Sequence, residues 1–189
     1  MPGPATSEQR PHRADERIET ARLVLRRPGG ADAEAIFSSY ASDPEVTRYL
    51  AWPRHLTIEA TRRFLEFSDD EWTRWPAGPY VIEERATGRL LGGTGLGFES
   101  PVSASTGYVL TRDAWGRGYA TEALVAMVEL ARQAGVIRLY ALCHADHQAS
   151  RRVLEKGGFA AEGLLLRHTV FPNLAEGPCD TWSYVRVLP

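Results

Sequence analysis

The stretch from Gly107 to Ala123 constrains the fold of this chain more than any other. Gly107-Tyr108-Val109-Leu110 has the composition of a strand, and Trp115-Gly116-Arg117-Gly118-Tyr119-Ala120-Thr121-Glu122-Ala123 leads through small residues into a helical pattern that reaches about Ala134. A helix leaves its first four N–H groups without a partner inside the helix. The sequence therefore predicts a row of outward-pointing backbone amides at this turn.

Such a row of amides suits an anion. The helix dipole places about half a positive charge at the N-terminus, Gly116 and Gly118 let a diphosphate approach the backbone, and Arg117 adds a mobile cation. The alternative is an ordinary strand-to-helix turn whose glycines serve packing. The turn has neither the G-x-x-x-x-G-K-[ST] pattern of a P-loop nor the third glycine of a dinucleotide fingerprint.

Hydrophobic patterns along the rest of the chain predict one α+β domain over residues 18–189, preceded by a flexible arm of residues 1–17. Strands are expected at residues 20–26, 80–84, 89–96, 105–110, 136–143, about 159–169 and 180–188. Helices are expected after a cap at Asp32, in a short piece at Val46–Leu50, from Thr57 to Trp72, and at residues 118–134 and 150–156. We therefore expect a mixed, mostly antiparallel sheet of about seven strands flanked by helices.

Charge and composition exclude several classes of partner. The 22 Lys+Arg and 24 Asp+Glu give a net charge of -2, so we expect no nucleic-acid partner. The apolar runs are shorter than the roughly 18 residues of a membrane helix, and no secretory signal opens the chain, so we expect no membrane partner. Cys143 and Cys179 show no disulfide or zinc pattern, which fits a reducing cytoplasm, and no histidine has metal-ligand spacing.

A second ordered motif makes the pattern specific. Ser150-Arg151-Arg152-Val153-Leu154-Glu155-Lys156 runs to Gly158-Phe159, and Thr20-Ala21-Arg22-Leu23-Val24-Leu25-Arg26 has the form T-x-R-L-x-L-R. Together with the Gly107–Ala123 stretch, these motifs make the chain similar to the GCN5-related N-acetyltransferase (GNAT) superfamily, especially its ribosomal-protein N-acetyltransferase-like (RimJ/RimL-like) branch. The resemblance covers about Ile18 to Leu188. It implies a GNAT-like sheet with a splayed central strand pair, and acetyl-CoA-dependent transfer of an acetyl group to a primary amine.

The resemblance also implies which residues bind the cofactor. The family's Q/R-x-x-G-x-G/A turn, which binds the pyrophosphate of acetyl-CoA, falls on Trp115, Gly118 and Ala120, with Trp115 in place of Gln or Arg. The strand before it binds the pantetheine through its backbone, with Gly107 suited to a bulge, and the family's N-x-x-S carries His147 in place of Asn. The expected cofactor residues are Tyr108, Val109, Leu110, Trp115, Gly116, Arg117, Gly118, Tyr119, Ala120, Thr121, His147, Ser150 and Arg151.

The chemistry that the resemblance implies is direct attack of an amine on the thioester in a ternary complex. Lysine-type amines have a pKa of about 10.4 and α-amines about 8, so a base or a water chain must remove a proton, and the departing thiolate benefits from an O–H donor. Ser150 is the expected donor, or only a helix cap. Tyr108 is a site wall or core residue, and the N–H near Val109 is expected to stabilise the oxyanion.

The general base is the open question. The position where many relatives carry Glu, two residues before Gly107, holds Ser105, and the later Glu expected near Thr169 is missing. Glu99 and His168 are the remaining candidates, and each is equally explained as a surface residue. Two other hypotheses therefore stay open: a catalytically silent CoA-binding sensor, and an α/β domain that binds another phosphorylated ligand.

The acceptor is open between a small-molecule amine and a protein N-terminus. Aromatic residues either wall its pocket or belong to the core; these are Trp52, Trp72, Trp75, Tyr80 and Phe171. The resemblance also implies pairing into a homodimer through the C-terminal strands.

Overall fold

The computed structural model describes residues 13–174 and 177–189, so most of the predicted arm at 1–17 lies outside the described residues. The strands are β1 (Arg17–Glu19), β2 (Leu23–Arg26), β3 (Pro79–Glu84), β4 (Leu90–Ser100), β5 (Ser103–Leu110), β6 (Arg138–His144), β7 (Ala160–Val170) and β8 (Pro178–Val187). The helices are α1 (Ala33–Ile36), which continues as a π-helical turn (Phe37–Ala41), α2 (Ile58–Arg74), α3 (Tyr119–Gln133) and α4 (Gln148–Lys156).

All strands form one 8-stranded sheet in the order β1-β2-β3-β4-β5-β6-β8-β7. Every neighbouring pair is antiparallel except β5 and β6, which are parallel. The predicted α+β class and mostly antiparallel sheet are confirmed. The strand beyond the expected seven is β1, which pairs Ile18 with Leu25 at the sheet edge.

The two parallel strands separate in the middle of the sheet. Their pairing covers only Ser103–Ser105 on β5 and Arg138–Tyr140 on β6. Beyond it, β5 stays paired with β4 up to Leu110, while β6 stays paired with β8 up to His144. The result is an open wedge between residues 106–110 and 141–144, called the β5–β6 cleft below. This is the splayed central pair that the sequence resemblance implied.

The register of β5 decides which of its backbone groups face the cleft. The Thr111 N–H donates to the Leu91 carbonyl over 2.8 Å, directly after the Gly92–Leu110 pair. Because hydrogen-bonded and non-bonded pairs alternate in an antiparallel ladder, Val109 points its N–H and C=O at β4, whereas Tyr108 and Leu110 point theirs at the cleft. The expectation that the Val109 backbone contacts the cofactor or an oxyanion is therefore wrong for this register.

Gly107 pairs regularly with Gly95, so the bulge expected at this glycine is absent. The irregularity in the β4–β5 ladder lies between Phe98 and Ser100 instead. A Cβ at Gly107 would meet nothing within 4 Å, so this glycine leaves open space on the sheet surface.

Helix α3 is fixed by its apolar face and by glycines beyond each end. Its buried residues include Ala123, Leu124, Met127 and Ala131, at the spacing of one helical face. Gly135, with φ +80°, follows the helix in the left-handed conformation that a glycine adopts without strain. The helix N-terminus is thereby held at the open end of the β5–β6 cleft.

The first helical segment differs from its prediction. Asp32 does precede α1, but its carboxylate makes no capping bond; it accepts from the Arg26 guanidinium over 2.6 and 2.8 Å and from the Gly29 N–H over 2.7 Å. Arg26 also contacts Glu83, so this ion-pair network joins the turn to the sheet. The short helix predicted at Val46–Leu50 is a series of turns, although Asp43 accepts from the N–H groups of Glu45 and Val46 as a helix cap does.

Within the described ranges, no helix combines the length and apolarity needed to span a bilayer.

Candidate active site

The turn into α3 presents unpaired backbone amides, as predicted. None of the N–H groups of residues 116–121 donates to an acceptor within the described part of the chain, whereas the next one, of Glu122, donates to the Gly118 carbonyl. Gly116 and Gly118 adopt φ values of +71° and +80°, which aim successive N–H groups outward. We call these six amides the cradle. It forms a concave, positively polarised surface suited to phosphate oxygens.

Arg22 and Glu122 hold the cradle in place through hydrogen bonds. The Arg22 guanidinium donates to the Arg117 carbonyl over 2.9 Å and to the Glu122 carboxylate over 2.7 Å. Glu122 also accepts from the Thr20 hydroxyl over 2.6 Å. Burial opposes ionisation of Glu122, but these hydrogen bonds outweigh it and lower the pKa of its carboxyl below the usual value. The motif residues Thr20 and Arg22 thus serve the turn near residue 118.

Two cations flank the cradle. The guanidinium carbons of Arg22 and Arg117 lie 4.6 and 4.9 Å from the centre of the Tyr119 ring. The Tyr119 hydroxyl donates to Glu84 over 2.8 Å, and Arg117 lies 3.7 Å from the same carboxylate. The Arg117 side chain is 50% exposed, so it can reorient toward a bound phosphate.

Trp115, which stands where the family pattern has Gln or Arg, anchors the end of β5. Its indole Nε1–H donates to the Leu110 carbonyl over 2.8 Å, while 45% of the residue remains exposed. The Leu110 carbonyl is therefore already occupied. The backbone groups left for a ligand in the cleft are the Leu110 N–H and both groups of Tyr108.

Tyr108 and Ser150, two predicted site residues that lie 42 positions apart, meet across the cleft. Their hydroxyl oxygens are 2.9 Å apart, and the Tyr108 hydroxyl also lies 3.2 Å from the Ser150 carbonyl. Burial raises the pKa of Tyr108, so its phenol stays protonated near neutral pH. Cys143 is buried beside this pair, and burial raises the pKa of its thiol too. One of the two O–H groups is used between them, so when Tyr108 donates to Ser150 the Ser150 hydroxyl is left to donate to an atom in the cleft.

An aromatic cluster closes the end of the cleft, and sequence reasoning missed half of it. Tyr49, from the loop after α1, has its ring centre 4.8 Å from both the His144 and the His147 rings, and Phe171 packs edge-on against His144 at 4.9 Å. We call these four residues the rim cluster. The His144 Nδ1 accepts from the Asp146 N–H over 3.1 Å, which makes its Nε2 the protonated nitrogen of the neutral ring.

Asn173 fastens the loop that carries Tyr49 over this end of the sheet. Its side chain donates to the Thr47 and Trp52 carbonyls over 2.8 Å each and accepts from the Arg54 N–H over 2.7 Å. These contacts join residues more than 100 positions apart, so only the folded chain shows that Tyr49 belongs to the site. The Tyr49 position carries no local motif that could have identified it.

The two predicted base candidates lie apart from the Tyr108–Ser150 pair. Glu99 is exposed and accepts from the Tyr140 hydroxyl and, over 3.4 Å, from Ser103, at the closed end of the cleft. His168 is exposed on the bulged part of the edge strand β7, with its Nδ1 3.0 Å from the Thr169 hydroxyl. Neither side chain contacts the rim cluster.

The remaining candidates divide between core and site. Trp72 and Tyr80 are 1% exposed and pack against each other in the core, so they do not wall a pocket. Trp75 stacks on Phe98, which is a core residue as well. Arg151, a predicted cofactor residue, packs its guanidinium over Trp182 and donates to Tyr184 on β8. Only Phe171 of the five aromatics belongs to the rim cluster.

A cavity of about 840 Å³ lies between β1 and α3 and reaches the cradle at Gly118 and Thr121. Its lining carries more carboxylates than cations, and this excess of negative charge opposes the binding of an anion away from the cradle; the carboxylates are those of Asp15, Glu19, Glu122 and Glu129, and the cations are Arg17 and Lys156. We also find no group of three or more potential metal-ligating side chains in the described ranges.

Comparison with known proteins gives concordant results. Residues 22–160 match the family model described as an acetyltransferase (GNAT) domain. The chain is 34% identical over 182 residues to the uncharacterized N-acetyltransferase YoaA of Bacillus subtilis (strain 168), covering 91% of this chain and 97% of that protein.

Two solved structures share the fold. RimL, a ribosomal L7/L12 α-N-protein acetyltransferase in complex with coenzyme A, superposes with a TM-score of 0.80 at 24% identity, over 92% of this chain and 98% of that one. The microcin C7 self-immunity acetyltransferase MccE, in complex with acetyl-CoA and AMP, gives 0.78 at 20% identity, over 89% of this chain and 94% of the other.

Proposed function

The chain belongs to the acetyltransferase (GNAT) family, whose members are acetyl-CoA-dependent N-acetyltransferases, and on that premise we propose that it acetylates the α-amino group of a peptide or protein N-terminus. Family membership favours an enzyme over the silent CoA-binding sensor that the sequence left open. The observation that carries the proposal is the combination of a six-amide cradle at one end of the β5–β6 cleft with the Tyr108–Ser150 pair inside it.

The residues present fit acetyl-CoA. The cradle, Arg22 and Arg117 would hold the diphosphate, and the free backbone groups of Tyr108 and Leu110 would pair with the pantetheine as an added strand does. When bound, acetyl-CoA supplies an acetyl thioester and a thiolate leaving group. Ser150, itself hydrogen-bonded to the neutral Tyr108 phenol, is placed to donate to the sulfur as the thiolate departs.

The polarity of the rim cluster favours an α-amine acceptor. In the described ranges, no side-chain carboxylate hydrogen-bonds to Tyr108, Ser150 or a rim-cluster residue, and Asp146 is the one acidic residue in the loop between β6 and α4, so the site is poor in counter-ions for the several charges of a polyamine or an aminoglycoside. An α-amine, with a pKa of about 8, is neutral in about one molecule in ten at pH 7, whereas a lysine-type amine is neutral in fewer than about one in a thousand. An α-amine is therefore neutral more often than a lysine-type amine, and a weaker base is enough to deprotonate it. RimL, which shares this fold, is named for the same acceptor chemistry.

A thiol-release assay tests this function. The protein is incubated with acetyl-CoA and either a peptide with a free N-terminus and no lysine, the same peptide with its N-terminus blocked, or spermidine, and free CoA thiol is measured. We expect release only with the unblocked peptide. Release with spermidine alone would refute the acceptor class, and tight CoA binding without release under any condition would support the sensor.

We further propose a cytoplasmic location, homodimer formation and the absence of a nucleic-acid partner. The two free cysteines and the net charge of -2 support the first and the last. The edge strand β7 supports a dimer, because Leu166 is 72% and Val170 57% exposed on it. Light scattering tests the dimer, and a monomer at micromolar concentration would refute it.

A further inference from the structure

The general base missing from the sequence pattern has a candidate in the rim cluster. We propose that His147, which stands at the N-cap of α4 where the family pattern has Asn, removes the proton from the acceptor amine. This inference rests on the proposed acetyl transfer and assigns a catalytic residue to it. It concerns a side chain that the resemblance placed on the pantetheine arm, with no role in proton transfer.

Position is the first argument. His147 precedes Ser150 by three residues at the start of α4, a spacing that puts two Cβ atoms about 5–6 Å apart on one side of a helix. An amine attacks the thioester carbon from about 3–3.5 Å, from above the plane of the thioester group and not along its carbon–sulfur bond. Ser150 in the first turn of α4 and His147 at the N-cap of the same helix therefore place a donor for the sulfur and a base at the same end of the cleft.

A free lone pair is the second argument. Neither ring nitrogen of His147 hydrogen-bonds to another group in the described part of the chain, and its ring stacks on Tyr49 at an interplanar angle of 26°. His144 is different, because the Asp146 N–H occupies its Nδ1 and leaves it a donor at Nε2. Of the two histidines in the rim cluster, only His147 can accept a proton without breaking a recorded hydrogen bond.

The surroundings keep His147 neutral. Burial and the neighbouring His144 lower the pKa of the His147 imidazole below its ordinary value, and the positive end of the α4 dipole acts in the same direction. The titratable and charged groups around it are Arg48 and Tyr49 from the loop after α1, Cys143 and His144 from β6, and Asp146 and Arg151 beside it in the chain. At pH 7 the ring is therefore a base with an available lone pair.

The proton balance is simple. The His147 ring takes one proton from the bound ammonium, and the neutral nitrogen then forms a bond to the acetyl carbon as the carbon–sulfur bond breaks. The second proton that the nitrogen must lose passes to the departing thiolate, which the Ser150 hydrogen bond stabilises, to give free CoA, and His147 loses its proton to solvent before the next turnover.

The test compares His147→Asn, which restores the family's amide, with the wild-type protein and with His168→Asn. CoA affinity is measured by calorimetry and kcat from pH 5.5 to 9.5 with the N-terminal peptide. We expect the affinity of His147→Asn to stay within about twofold, its kcat at pH 6.5 to fall about 100-fold or more, and much of that loss to be recovered above pH 8. On the acid side of the profile, the pH at which kcat falls (the acid limb) should lie below 6.5 in the wild-type protein. In His147→Asn it should move up to the pKa of the acceptor amine, about 8.

Three results would overturn the inference. If His147→Asn keeps the wild-type kcat and its acid limb does not move, His147 does no more than the family's Asn would do at this position. A loss of kcat that is the same at all pH values would assign it a structural role. A limb that moves in His168→Asn instead would identify that residue as the base. An inactive wild-type protein would refute the proposed function itself, which separates the two failures.

Discussion

Replacing Gly118 by Leu tests whether the cradle binds the diphosphate. Gly118 has φ +80°, and a Cβ built on it lies 3.4 Å from the Arg22 Nη2, the end of a flexible side chain. The direct clash is therefore small, and the cost to the fold comes from a left-handed backbone with a side chain, about 1–2 kcal/mol. The leucine side chain would stand in front of the amides that α3 presents.

The effect on CoA binding should be much larger than that strain. If the leucine removes two charge-assisted hydrogen bonds worth about 1.5–3 kcal/mol each, the loss is at least about 3 kcal/mol, or more than 100-fold in Kd. Calorimetric titration with CoA measures the affinity, and thermal unfolding without CoA measures the strain.

Gly135→Leu is the matched control at the other end of α3. Gly135 also has φ +80°, and a Cβ there meets nothing within 4 Å, so the backbone strain is the same while the cradle is untouched. We expect similar unfolding temperatures for the two variants and weak CoA binding only for Gly118→Leu. Equal CoA affinities in the two variants would refute the assignment of the cradle.

Three further substitutions test the parts around the cradle. Ser150→Ala should lower kcat about 100-fold with little change in CoA affinity, because the donor to the leaving thiolate is lost while the cradle remains; steady-state kinetics and calorimetry measure both, and an unchanged kcat would contradict the role of Ser150. Glu122→Gln should lower the unfolding temperature at pH 7, because a carboxyl whose folded pKa lies below its ordinary 4.5 stabilises the fold above that pH and loses the contribution as pH falls through the folded value. Its difference from wild type should therefore shrink below about pH 4 in thermal scans, and a pH-independent difference would point to packing alone. Trp115→Phe should weaken CoA binding about 2- to 10-fold in calorimetry, since it removes the hydrogen bond that fixes the Leu110 carbonyl, and unchanged binding would contradict that anchoring role.

Local sequence predicted the elements of the fold better than it predicted the partners of their residues. The glycines at 116 and 118 and the apolar face of α3 follow from short-range pattern, and the structure has both. The role of Arg22 does not follow from short-range pattern, because its guanidinium bonds to the Arg117 carbonyl, 95 positions away. The Val109 expectation failed for a similar reason: which strand residues face a cleft depends on the register with β4, which the sequence does not specify.

The same limit applies to the catalytic candidates. Ser150 and Tyr108 were found through motifs, and the fold brings them within hydrogen-bond distance. Tyr49 and His144 have no motif. His144 is close to His147 in the chain, at the end of β6, whereas Tyr49 reaches it from the loop after α1, which Asn173 fastens to the loop between β7 and β8. Glu99 and His168 are ionisable residues near Ser105 and Thr169 in the sequence. Their hydrogen bonds are to Tyr140 and Thr169, and not to the Tyr108–Ser150 pair.

The most direct measurement is an NMR titration that follows the backbone amides of residues 116–121. Adding CoA should shift these resonances strongly, and adding pantetheine, which lacks the diphosphate, should leave them nearly unchanged while shifting Tyr108 and Leu110. Shifts confined to the part of the β1–α3 cavity away from the cradle, at Val125 and Glu129, with the amides of residues 116–121 unaffected by CoA, would contradict the account.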